Sequence, residues 1–145
     1  MSAIARFSRT LAICPGWRRV GPCVARARRG LAFFRKILSE SPAEGLEPID
    51  KWQEYPFAGK PGQYYLGYFG RQAPATWPFV LAQPGLADGM KFKAEVIDTW
   101  NMTVTPVAEA FEIRKRDNYS FADKGGRSIA LPGRPYMAIR ITRLP

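Results

Sequence analysis

Two pairs of carboxylates stand close enough in this chain to suggest acid–base work: Glu95 with Asp98, and Glu109 with Glu112. Catalysis by a carboxyl pair, one member acid and the other base or nucleophile, needs the two groups roughly 5–9.5 Å apart. Each pair is three residues apart in a segment that reads as a strand. Its members therefore point to opposite faces and lie about 10 Å apart along the chain. Neither is an acid/base couple by local geometry. The chain contains no His, which removes the commonest general base and metal ligand and excludes any Ser-His-Asp or Cys-His site. Cys14 and Cys23 are the only cysteines, and two Cys without His cannot complete a structural zinc site. They read as incidental thiols, with a disulfide or redox pair as the alternative. No catalytic residue, cofactor or metal ligand is expected.

Binding chemistry is better represented. Trp52, Trp77, Trp100 and the Tyr64-Tyr65 pair are large rings that can stack on sugars, fill a core or anchor a domain interface. Asp98, Thr99 and Asn101 sit where a strand gives way to a turn. Their side chains suit hydrogen bonds to turn backbone, or to sugar hydroxyls with Trp100 as a platform. Arg134 and Arg140 have charge to pair with Asp98 or Glu95, or to meet a neighbouring domain. The candidate sugar or interface contacts are thus Trp52, Trp77, Asp98, Trp100, Asn101 and Arg134. Asn101-Met102-Thr103 and Asn118-Tyr119-Ser120 match the glycosylation sequon, a motif that counts only in a secreted chain.

These residues are carried by short alternating segments. Tyr64 to Phe69 reads as a strand closed by Gly70, and Trp77 to Leu81 as an edge strand, because Pro78 cannot donate to a ladder. From Lys91, residues Phe92, Ala94, Val96, Asp98 and Trp100 take one side; Lys93, Glu95, Ile97 and Thr99 take the other. Thr103 to Phe111 resumes as its hairpin partner. Ser128 to Leu131 precedes Pro132-Gly133, a type II turn by composition. Tyr136 to Ile141 follows, with Met137, Ile139 and Ile141 on one face. Six or seven such strands, among 13 Pro and 13 Gly, predict a mainly β fold: a small antiparallel β-sandwich. A Greek-key barrel is the alternative. Upstream, Leu31, Phe34 and Leu38, extended by Phe33 and Ile37, form a helical stripe of about ten residues that ends at Pro42.

Charge divides the chain unevenly. Met1 to Lys36 holds eight Arg, one Lys and no acid, a formal +9; the remainder is +1, although the whole carries +10. A nucleic-acid reading therefore rests on the leader alone. The leader lacks the apolar core of about 7–15 residues that a secretory signal needs. Pro15, Gly16, Gly21 and Pro22 interrupt any long helix. It fits a disordered or start-site segment, a mitochondrial-type targeting peptide, or a basic arm. The expected organisation is a basic leader at 1–30, a helix and interface linker at 31–62, and a β domain at 63–145. No apolar run reaches the roughly 20 residues of a membrane span. A cytoplasmic location, no membrane partner and no specific nucleic-acid partner are expected.

Two blocks then carry a family likeness: Glu95-Val96-Ile97-Asp98-Thr99-Trp100-Asn101-Met102-Thr103, and Leu131-Pro132-Gly133-Arg134-Pro135-Tyr136-Met137-Ala138-Ile139-Arg140-Ile141. With Tyr64-Tyr65-Leu66-Gly67-Tyr68-Phe69-Gly70 and Pro48-Ile49-Asp50-Lys51-Trp52, the chain from Leu31 to Pro145 resembles a C-terminal β domain of unknown function. That domain closes bacterial multidomain glycoside hydrolases, after an N-terminal β-sandwich and an apiosidase-like TIM barrel. The resemblance implies an accessory, non-catalytic domain, a fragment whose missing barrel would hold the catalytic carboxylates. Its implied partner is that barrel. A carbohydrate-binding module is the first alternative, and a basic targeted or nucleic-acid-binding protein the second.

Overall fold

The computed structural model describes residues 22–49 and 55–145. Helix α1 spans Pro22–Ser39, 18 residues, and begins well before the stripe at Leu31. Pro22 does not break it. At a first helical position the missing N–H costs nothing, and the fixed φ of proline suits the turn. The last turn tightens through Ser41 N–H to Leu38 O at 3.1 Å, and Pro42 prevents continuation.

The strands among the described residues are β1 (Glu47–Ile49), β2 (Phe57–Lys60), β3 (Tyr64–Tyr68), β4 (Thr76–Pro78), β5 (Val80–Ala82) and β6 (Lys91–Asp98). They continue as β7 (Thr103–Pro106), β8 (Phe111–Lys115), β9 (Ser120–Asp123), β10 (Ser128–Ala130) and β11 (Ala138–Arg143). Nine form one sheet, ordered β1-β2-β3-β11-β6-β8-β9-β5 with β7 also on β6, and β4 pairs β10 separately. All pairings are antiparallel. The segment read as one strand from Trp77 to Leu81 is two. Its first half pairs with β10 and its second with β9. Pro78 lies on the strand with a single neighbour, where its missing donor is harmless.

Strand β6 outruns its partners on one side. Lys91 and Phe92 pair with β8, while Glu95 to Asp98 pair with β7. The sheet divides there and folds over its own inner face, giving the antiparallel sandwich. That inner face holds Tyr65, Phe92, Ala94, Val96, Met137, Ile139 and Ile141 against Trp77, Phe79, Leu81, Phe111, Ile113, Phe121 and Ile129. Phe79 and Phe111 stack with centroids 4.3 Å apart and planes 5° from parallel.

The outer face of β3, β11 and β6 is not bare. Ile37 and Phe33 of α1 pack there against Ile97, Ala138, Leu66 and Val104. Burying a side chain such as Ile37 contributes about 1.5–3 kcal/mol. Arg140, from the middle of β11, donates to Glu95 Oε2 through Nε at 2.6 Å and pairs with Glu40 just beyond the helix. An ion triad therefore locks the end of α1 onto the sheet.

Candidate functional site

The turn between β6 and β7 gathers three of the six candidate residues, Asp98, Trp100 and Asn101. Asp98 closes β6 opposite Thr103, and its carboxylate organises the four residues between them. Oδ1 accepts the backbone N–H of Trp100 at 2.9 Å and of Asn101 at 3.0 Å; Oδ2 accepts the Asn101 side-chain amide at 2.8 Å. Burial raises the Asp98 pKa, but the Asn101 and Trp100 hydrogen bonds and the nearby Arg134 charge outweigh it. The net value is lowered. An acid held ionised and fully hydrogen-bonded shapes a turn; it is poorly placed to donate a proton.

A second loop, Leu131 to Met137, is bolted to this turn. Trp100 Nε1 donates to Pro135 O at 2.8 Å, and Thr99 Oγ1 to Tyr136 O at 2.7 Å. Tyr136 N–H donates to Gly70 O at 2.6 Å. Met102 and Tyr136 have positive φ, 56° and 64°, a conformation uncommon for residues other than glycine and held here by the surrounding bonds. Gly133, at φ 64°, meets the positive-φ requirement of the expected turn. These bonds present two exposed rings, Trp100 at 43% and Tyr136 at 38% accessibility. Their centroids are 6.1 Å apart and their planes tilt by 42°. They form an angled pair, not one flat platform.

The other candidates are placed differently. Trp77, 5% exposed, is a core residue among Phe57, Phe69 and Phe79 and offers no face to a ligand. Tyr64 and Tyr65 are buried as well. Trp52 and Cys14 lie outside the described residues, and Cys23 falls in the first turn of α1. Arg134 is exposed on the second loop. Three of the four carboxylates tested for catalysis are each paired with a different cation: Glu95 with Arg140, Glu109 with Arg127 at 2.6 Å and Glu112 with Lys124 at 2.9 Å. Among the described residues, no three or more His, Cys, Asp or Glu side chains gather as metal ligands.

Residues from α1, which the charge division assigns to the leader, complete the neighbourhood. Ala25, Arg26 and Arg29 line a recess of about 600 Å³ with Trp100, Asn101 and Met102. Beside it an apolar cavity of about 360 Å³ runs between helix and sheet, lined by Phe33, Phe34, Ile37, Leu66, Tyr68 and Met102 among others. No periodicity argument joins residue 26 to residue 100; only the docking of α1 does.

Fold and site together define a small antiparallel β domain with a helix on its outer face and a rigid aromatic turn at one end. Residues 52–142 match a family described as a domain of unknown function (DUF5605). That match covers more than half of the chain, so the protein belongs to this family. Among solved structures it is similar to a candidate glycoside hydrolase from Bacteroides vulgatus ATCC 8482, with 30% identity and a TM-score of 0.71. The alignment covers 82% of this chain but 24% of that one, so this chain spans about a quarter of the length of its structural relative. No curated protein matches the sequence. Among the described residues no helix is long and apolar enough to cross a membrane.

Proposed function

We propose that this chain is a non-catalytic accessory domain that braces the catalytic barrel of a glycoside hydrolase. The observation that carries the reading is a second apolar stripe on α1. Phe33 and Ile37 already occupy the sheet, yet Leu31, Phe34 and Leu38 project elsewhere at spacings of three and four, with Leu31 63% and Phe34 57% exposed. A surface helix normally keeps one apolar face. Two such faces call for a second partner, and the three-quarters of the relative's chain outside the match leave room for one. Covering the three side chains fully would contribute about 3 kcal/mol, since roughly half of their area is still in water. Tyr68 and the cavity beside Phe34 extend the same surface.

The test is removal of the equivalent domain from the Bacteroides relative. The expected result is a lower melting temperature for the remaining protein, with loss of activity as the barrel loosens. Unchanged melting and unchanged activity would end the bracing reading. The Trp100–Tyr136 pair favours a second reading, direct carbohydrate contact, although the tilt between the rings suits a single sugar ring better than an extended flat chain.

A further inference from the structure

We propose that the recess between α1 and the β6–β7 turn is a binding subsite for an acidic sugar, a uronic acid residue of a saccharide chain. Its walls supply two different kinds of recognition. Trp100 offers a ring whose orientation is set by the Nε1 bond to Pro135 O, so little freedom is lost when a sugar face stacks on it. Arg26 and Arg29 offer guanidinium groups, whose planar forks match a carboxylate in two-point contact. Asn101, its amide N–H donated to Asp98, adds a side-chain carbonyl that can accept from a hydroxyl.

The helix explains why these groups meet. Arg26, Arg29, Phe33 and Ile37 follow one another at three and four residues and share one face. Over the sheet that face is apolar and buried through Phe33 and Ile37. Where it runs past the sheet, over the Trp100 turn, it becomes cationic. Among the described residues no carboxylate pairs with Arg26 or Arg29. Both arginines are exposed, so they can turn toward a ligand without breaking a native ion pair. The recess, about 600 Å³, is within the range of roughly 300–1,000 Å³ typical of small-molecule sites. Two cations beside one stacking ring suit one or two negative charges on a ring-bearing ligand. A polynucleotide would want several rings stacked along a basic track, and Trp100 is the one ring that lines this recess. The subsite lies on a different stripe of α1 from Leu31, Phe34 and Leu38, so it stands or falls separately from the bracing role.

The experiment titrates the full chain with tri-galacturonic acid at 0.15 M salt, following two-dimensional NMR shifts. Cellotriose and a single-stranded trinucleotide serve as comparisons. Tri-galacturonic acid is expected to move the Trp100 indole and Asn101 amide signals, with cellotriose at least tenfold weaker. R26Q/R29Q, on an exposed helix face, and W100A are each expected to weaken the acidic sugar about tenfold or more, as loss of one stacking contact does elsewhere. Melting curves of both variants verify that they fold. Should W100A melt early, R26Q/R29Q still decides, because both arginines are exposed and lie outside the turn. Absence of saturable shifts, equal binding of the neutral sugar, binding that survives R26Q/R29Q, or tighter binding of the trinucleotide through the same residues would each overturn the proposal.

Discussion

Replacing Arg140 by Met should unlatch α1 from the sheet. The substitution keeps an unbranched apolar stem of similar length and deletes the guanidinium that bridges Glu95 and Glu40. Arg140 is buried, and its pKa is raised further above its ordinary value; desolvation opposes this, but the Glu95 and Glu40 hydrogen bonds outweigh it. Glu95 would be left in a setting where its side chain keeps 18% of its exposure. Removing one partner of a buried pair costs about 3–5 kcal/mol. Water already reaches Glu40 and part of Glu95, so the cost falls to the bottom of that range or below it, about 2–3 kcal/mol. At roughly 3–5 °C per kcal/mol for a domain of this size, the melting temperature should fall by about 6–15 °C. Urea denaturation of wild type, R140M and E95Q/R140M measures the effect. The double variant removes the orphaned carboxylate and should recover at least about 1 kcal/mol of the loss. Hydrogen exchange should show the amides of Phe33 to Ser39 losing protection before those of β6 and β11. A cost below about 0.5 kcal/mol for R140M, with α1 protection intact, would refute the latch.

Other outcomes can be checked on the same material. Phe79→Ala removes a ring packed against Phe111, Phe92 and Trp77 and should cost about 3–5 kcal/mol in urea denaturation. Asp98→Ala should cost about 2 kcal/mol by stripping three hydrogen bonds from the turn, visible as new disorder of the Trp100 and Asn101 amides by NMR. The Asp98 pKa in the folded protein lies below its ordinary value near 3.8, so its contribution is present above about pH 4 and is lost as pH falls through the folded value. Wild type should therefore lose stability below pH 4 more steeply than Asp98→Asn, as followed by urea midpoints against pH. Gly62→Ala should fold poorly or not at all, because a Cβ there would stand 2.2 Å from Gly85 O at a φ of +77°; soluble yield and a melting curve report it. Leu31→Asp/Phe34→Asp should change the melting temperature of this chain by under about 2 °C, since both side chains are already largely in water.

Residue types and alternation were enough to show a mainly β chain, the two faces of β6 and β11, and a short helix ahead of them. Period-two patterning is local, and one buried face enforces it. The absence of His and the spacing of the acids likewise removed most catalytic readings before any fold was known. Tertiary structure decided everything that depends on distant partners. Trp77 and Trp100 look alike as residues, yet the sheet closes over one, while the bond to Pro135 O holds the other in an exposed turn. Pro22 looked like a helix breaker and proved to be a helix start, because the cost of a proline depends on its position in the turn. The split at Phe79 follows from two different neighbours, β10 and β9. Glu95 and Asp98 were legible as residues facing apart, but not as a helix latch and a turn cap. Those roles come from Arg140, Glu40 and Asn101, and only folding brings Arg140 and Glu40 to Glu95.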